Sequence, residues 1–144
     1  MIAVDTNILV YAHRSDSPFH ARAAQALQDL AESGKPWAIP WACVHEFLSI
    51  ATHPRIYRPP STMKQALDQL DAWLESPSLI LLGELPGYQI TLRTALESAQ
   101  IVGPRVHDAR IAAICVQHGV RTLWTADRDL SRFSGITLVN PTVD

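Results

Sequence analysis

Met1-Ile2-Ala3-Val4-Asp5-Thr6-Asn7 opens the chain with an apolar run that ends in an acid, a hydroxyl and an amide. The pattern predicts a short buried strand over residues 2–5, closed by a polar corner. In open α/β sheets, sites gather at the carboxyl ends of the strands. Asp5 stands at such an end. Its plainest use is local, because an acid after a strand commonly makes an Asx-turn or caps the next helix. A carboxylate beside a buried strand nevertheless needs a partner, a metal ion or a proton. The reading of Asp5 therefore turns on whether other acids reach the same edge.

Outward from this stretch, the apolar run Ile8-Leu9-Val10-Tyr11-Ala12 predicts the beginning of a helix. Asp16-Ser17-Pro18 is a helix start signal, and Phe19 to Glu32 is alanine-rich, with Leu27 and Leu30 on one face. Ser33-Gly34-Lys35-Pro36 stops that helix. Trp37-Ala38-Ile39 is a second strand. Trp41 to Thr52 is helical, with Val44, Phe47, Leu48 and Ala51 on its apolar face and Glu46 at the margin of that face. An Arg- and Pro-rich loop covers residues 53–60. Ser61 or Thr62 then caps a helix to about Glu75, with Leu67, Leu70 and Leu74 facing inward.

Ser78 to Leu82 is the third strand, residues 88–100 a helix, and Arg105 to His118 another, which buries Ile111, Ala112, Ile114 and Cys115. Thr122 to Thr125 and Leu138-Val139 complete about five strands. Alternating strands and helices predict one α/β domain over residues 1–144, a short parallel sheet flanked by helices on both faces. Right-handed crossovers bring all the strand carboxyl ends to one edge.

Composition narrows the function. Hydrophobic residues make up 47% of the 144 residues, enough for a packed core. The formal net charge of −2 is neither a strongly basic footprint nor an acidic tail. Cys43 and Cys115 both lie in apolar helical context and predict buried thiols rather than a disulfide. No basic run followed by a long apolar one opens the chain, and no apolar run approaches a membrane span. A soluble, cytoplasmic protein with no membrane partner is expected.

The acids then come together. Asp5 follows the first strand. Glu46 sits inside the third helix, where a solvated flank is its ordinary place. Asp108 occupies the first turn of a helix, where the dipole favours an acid. Thr125-Ala126-Asp127-Arg128-Asp129 follows the fourth strand; one acid suffices to cap a turn and the other is left over. Four or five carboxylates at one edge repel each other, so either their pKa values rise or cations neutralise them. An all-oxygen set suits a hard ion, Mg²⁺ or Mn²⁺, with some acids acting through water. Such a site supports phosphodiester hydrolysis.

Competing motifs fail. His45-Glu46 begins like a zinc-protease helix, but Ser49 stands where its second His belongs. No P-loop, dinucleotide fingerprint or nucleophile elbow is present. A receiver-like signalling domain also clusters acids, but it needs a phosphoacceptor Asp after the third strand and a Lys after the last. Here the third strand leads to Gly83-Glu84, and the two lysines are Lys35 and Lys64. A catalytically silent binding module with the same acids stays open as an alternative.

The chain resembles the PIN-domain ribonucleases of the VapC toxin type. The resemblance rests on Val4-Asp5-Thr6-Asn7, on Glu46, on Val106-His107-Asp108-Ala109-Arg110-Ile111-Ala112-Ala113, and on Trp124-Thr125-Ala126-Asp127-Arg128-Asp129-Leu130-Ser131-Arg132-Phe133. Each motif is short; their order and spacing over nearly the whole chain carry the likeness. It implies a PIN-like three-layer fold and a Mg²⁺- or Mn²⁺-dependent endoribonuclease, the toxin of a type II toxin–antitoxin system. Asp5, Glu46, Asp108 and Asp127 would be the catalytic acids. Asp5 and Asp108 would bind the metal directly, and Glu46 and Asp127 directly or through water. Thr6, Asn7, Thr125 and Asp129 would support them. RNA, an antitoxin peptide and a second copy of the chain would be the partners, with Arg14, Arg55, Arg58, Arg105, Arg128 and Arg132 available to RNA phosphates or to neighbouring acids. The family often carries Phe where Leu130 stands, and Phe133 would take over that packing.

Overall fold

β1 (Ile2–Val4) is the middle strand of a five-stranded sheet in the computed structural model, which describes all of residues 1–144. Then come α1 (Thr6–His13), α2 (His20–Glu32), β2 (Trp37–Pro40), α3 (Trp41–Ala51), α4 (Met63–Leu74) and β3 (Leu79–Leu82). α5 (Tyr88–Ser98), a 3₁₀ turn (Gly103–Arg105), α6 (Val106–Gln117), β4 (Thr122–Trp124), a second 3₁₀ turn (Arg128–Arg132) and β5 (Thr137–Val139) complete the chain.

All the strands are parallel, in the order β3-β2-β1-β4-β5. The chain steps outward from β1 to β3, then returns past β1 to lay down β4 and β5. Right-handed crossovers put α1 to α4 on one face and α5 and α6 on the other. The direction of winding reverses between β1 and β4, and such a reversal opens a crevice beyond the strand ends. Val4 is in register with Trp124, so Asp5 and Thr125 leave the sheet side by side.

Burial explains this frame. All four residues of β2 are buried, as are Ala3 and Val4 of β1. Ile8 and Leu9 from α1, Phe47 from α3, Ile114 from α6 and Leu123 from β4 fill the layers around them. Phe47 meets Trp73 edge-on, with centroids 5.0 Å apart. Burying each such side chain contributes roughly 1.5–3 kcal/mol. Leu130 and Phe133 are both buried beneath the second 3₁₀ turn. Cys43 and Cys115 are buried free thiols.

Three local expectations are corrected. The first helix begins at Thr6 rather than Ile8, because the Asp5 side chain caps it by accepting from the Thr6 N–H. The next begins at His20, one residue late, although Ser17 Oγ does accept from the Phe19 N–H. In α4, Leu70 is buried but Leu67 and Leu74 are 43% and 44% exposed; the inward stripe is Ala66, Leu70 and Trp73. Trp73 supplies more apolar surface than either leucine and lodges against Phe47, which sets the helix's rotation. Thr62 caps α4, and Thr62 and Gln65 exchange side-chain-to-backbone bonds in a reciprocal capping box.

Candidate active site

Asp5 is only 5% exposed, and donors surround its carboxylate. The Thr6 N–H donates to Oδ1 at 2.8 Å, and the Thr125 hydroxyl to Oδ2 at 2.8 Å. Asn7 Nδ2 adds a longer bond to Oδ2 at 3.3 Å, and the Cys43 thiol reaches Oδ1 at 3.5 Å. Asp5 is therefore both the cap of α1 and a buried acid; the two readings describe one residue.

The polar corner continues into both neighbouring strand ends. Asn7 Oδ1 accepts from the Ala126 N–H at 2.9 Å, which ties α1 to the turn after β4. Thr125 Oγ1 accepts from the Asp127 N–H at 3.0 Å. Asp127 in turn caps the second 3₁₀ turn by accepting from the Asp129 N–H at 2.9 Å. On the other side, the Thr6 hydroxyl donates to Glu46 Oε2 at 2.9 Å and turns that half-buried side chain toward Asp5. Asp108 lies in the first turn of α6 and is partly buried.

The electrostatics are those of crowded acids. Burial pushes the Asp5 carboxyl up from its ordinary value; its hydrogen-bond donors oppose the shift and the Asp127 charge adds to it. Burial raises Glu46 as well, with help from Asp5 and Asp108. Asp108 is raised by burial first and then by Asp127 and Asp5. Asp129 goes the other way, because the Arg105 guanidinium beside it holds its carboxyl down. Burial lifts the Cys43 thiol well above its usual range, so Cys43 acts as a neutral donor to Asp5.

Asp108, Asp127 and Asp129 line a cleft of about 560 Å³ together with Arg105 and Arg132. A wider hollow of about 640 Å³ between α2 and α4 holds none of these acids. Arg128 is exposed beside Asp127 and lines a separate hollow with Asn140. The other three arginines singled out from sequence do not reach the acids. Arg14 ends α1, about 12 Å along the axis from Thr6. There it grips Asp16 at 2.6 and 2.9 Å and stacks over Tyr57 at 4.3 Å. Its fork also donates to the Pro59 carbonyl, which docks the loop bearing the exposed Arg55 and Arg58 at that remote end.

Cys43 is the site residue that sequence reading treated only as core. The available signal was its spacing, three residues before Glu46, which sets both on one side of α3.

The candidate metal-binding groups, Asp5, Glu46, Asp108 and Asp127, offer only carboxylate oxygens. No three His, Cys, Asp or Glu side chains stand close enough together to hold a metal ion by themselves. Mg²⁺ does not require three, since it takes one or two carboxylates and keeps several waters. The residues fit a hard divalent ion on those terms.

Several known proteins resemble the chain over nearly its whole length. Ribonuclease VapC31 of Mycobacterium tuberculosis is 30% identical over 141 residues, covering 98% of this chain and 99% of its own. Ribonuclease VapC48 of the same species is 29% identical over 138 residues, covering 95% and 94%. Among solved structures, VapBC2 of Rickettsia felis bound to a promoter DNA fragment superposes with a TM-score of 0.67 at 24% identity, covering 97% of this chain and 98% of the other. The PIN domain family matches residues 2–136, four of the five strands and every acid described above, and the chain belongs to that family.

Proposed function

We propose that this chain is a divalent-metal-dependent endoribonuclease, the toxin half of a VapC-type toxin–antitoxin pair. One observation carries the reading: a buried carboxylate, Asp5, held by Thr6, Asn7 and Thr125 at the strand reversal, beside Glu46 and the Asp108–Asp127 cleft. Relatives of full length named as ribonucleases support the reaction class.

Asp5 and Asp108 would hold Mg²⁺ or Mn²⁺ directly, and Glu46 and Asp127 directly or through water. When bound, the ion polarises a phosphate oxygen and supplies a water of lowered pKa. The chain's own residues prepare for this. Thr6, Thr125 and Asn7 donate to the acids and fix their orientation, and the Thr6 and Thr125 bonds oppose the rise that burial imposes on their carboxyls. Arg105 and Arg132 add the positive charge at the cleft that an RNA phosphate requires.

Three partners belong to this reading. RNA is the substrate. An antitoxin is supported by the likeness to the VapBC2 complex. A second copy is supported by α5, which has no buried residue and leaves Ile90 69% exposed on the same hollow as a half-exposed Val116. No helix is long and apolar enough to cross a membrane, and action on RNA beside an antitoxin fits the cytoplasm.

The test is induced expression with mapping of new RNA 5′ ends. Wild-type protein is expected to create discrete ends and arrest growth, and Asp5→Asn to do neither while remaining folded. Purified protein is expected to stop cutting in excess EDTA. Cleavage that persists in EDTA, or in Asp5→Asn, overturns the proposal.

A further inference from the structure

Five acids occupy or border the strand-end site, yet they are not equivalent. Asp129 alone is hydrogen-bonded to a cation of the chain, while Asp108 meets the same guanidinium only at the outer limit of an ion pair. Arg105 Nη2 donates to Asp129 Oδ2 at 2.8 Å, while Nη1 stands 3.9 Å from Asp108 Oδ2. Asp5, Glu46 and Asp127 instead accept from hydroxyl, amide or backbone N–H groups. The pair is also built rather than incidental. Asp129 is fixed by its own N–H on Asp127. Arg105 ends the 3₁₀ turn that begins at Gly103, whose φ of +64° suits only glycine well, and it precedes Asp108 by one helical turn.

A guanidinium has five N–H donors in a planar fork. Arg105 makes one hydrogen bond within the chain, to Asp129, and its side chain is partly exposed on the cleft wall. Most of the fork is therefore available to an incoming ligand. A planar fork matches the oxygens of a phosphate, which a point charge does not.

Resting on the nuclease reading, we propose that Asp129 is a positioning residue for Arg105 rather than a metal ligand, and that the Arg105 fork takes the phosphate oxygens of the strand entering the cleft. The acids thus divide by task. Asp5, Glu46, Asp108 and Asp127 face the ion, and Asp129 orients a phosphate anchor. Arg132 shares the cleft but has no carboxylate fixing it, so its contribution is diffuse charge.

Two binding measurements test this. The first is calorimetric titration of the full chain with Mn²⁺ alone. Asp108→Asn is expected to lose at least tenfold in affinity, and Asp129→Asn to stay within about twofold of wild type. The second is fluorescence anisotropy with a labelled single-stranded RNA 20-mer and Mn²⁺, on the Asp5→Asn background so that the strand survives. There Arg105→Gln is expected to weaken binding about tenfold and to flatten the salt dependence by about 0.7 in log–log slope, one phosphate contact. Arg105→Lys keeps the slope and still loses affinity. Asp129→Asn weakens RNA binding, and adding it to Arg105→Gln costs nothing further, because each acts through the same contact.

Asp129→Asn weakening Mn²⁺ as much as Asp108→Asn overturns the assignment, as does an unchanged salt slope in Arg105→Gln. If the binding pattern holds but wild-type protein cuts no RNA, the nuclease reading fails and the Arg105–Asp129 assignment stands.

Discussion

Asp108 shows what a residue gives up to serve a site. Burial and the charges of Asp127 and Asp5 hold its carboxyl above the ordinary range. An acid whose folded-state pKa is raised binds its proton more tightly when folded than when unfolded. Its contribution is then most favourable below the unfolded value of about 3.9 and is lost as pH rises through the folded value. Asparagine is neutral throughout and escapes that loss. In EDTA, Asp108→Asn is expected to melt above wild type at pH 7, with the difference vanishing near pH 3. Added Mn²⁺ is expected to raise the melting temperature of wild type far more than that of the variant, since a ligand stabilises only the state it binds. Thermal melts at the two pH values, with and without metal, check both statements. Equal melting at pH 7 without metal would remove the claim of crowding.

At the scale of elements, caps and functional groups coincide. Asp5 caps α1, and asparagine caps nearly as well as aspartate, whereas alanine does not. Asp5→Asn and Asp5→Ala are thus both expected to be inactive. Only the alanine variant should also lose about 1 kcal/mol of stability in urea melts. α4 offers the same measurement away from the site. Its capping box makes Thr62→Ala cost about 1 kcal/mol with no change in Mn²⁺ affinity. α4 also shows why a pattern of leucines misleads. Leu67, Leu70 and Leu74 have helical spacing, but so do Ala66, Leu70 and Trp73, and periodicity cannot choose between faces that share a residue. The indole chose, through its contact with Phe47.

For the whole molecule, the sheet holds the site because its core is shared by both helical layers. Ile114 of α6 is fully buried against it. Ile114→Ala is expected to cost about 2–5 kcal/mol, a large part of a typical stability of about 5–15 kcal/mol. The variant is expected to lose Mn²⁺ binding and fold together on heating rather than the site alone. Calorimetry alongside Mn²⁺ titration checks it; a variant that keeps its melting temperature contradicts the shared core.

The alternation of strands and helices, the acids Asp5, Glu46, Asp108 and Asp127, and the hydroxyl and amide beside Asp5 were legible in the chain itself. Strand ends and helix starts are local patterns, and a parallel sheet gathers its strand ends at one edge whatever the side-chain detail. Only the tertiary structure decided which groups touch. It paired Arg105 with Asp129 across 24 residues, and it turned the Cys43 thiol onto Asp5 across 38. It also docked Arg14 on the Pro59 carbonyl, 45 residues on, at the remote end of α1 and away from the acids. Such contacts depend on the rotation of whole helices in the packed layers, and one-dimensional spacing does not specify that rotation. The strand that opens the chain determined where the acids would gather; the packing around it determined which of them crowd the strand edge and which one holds an arginine.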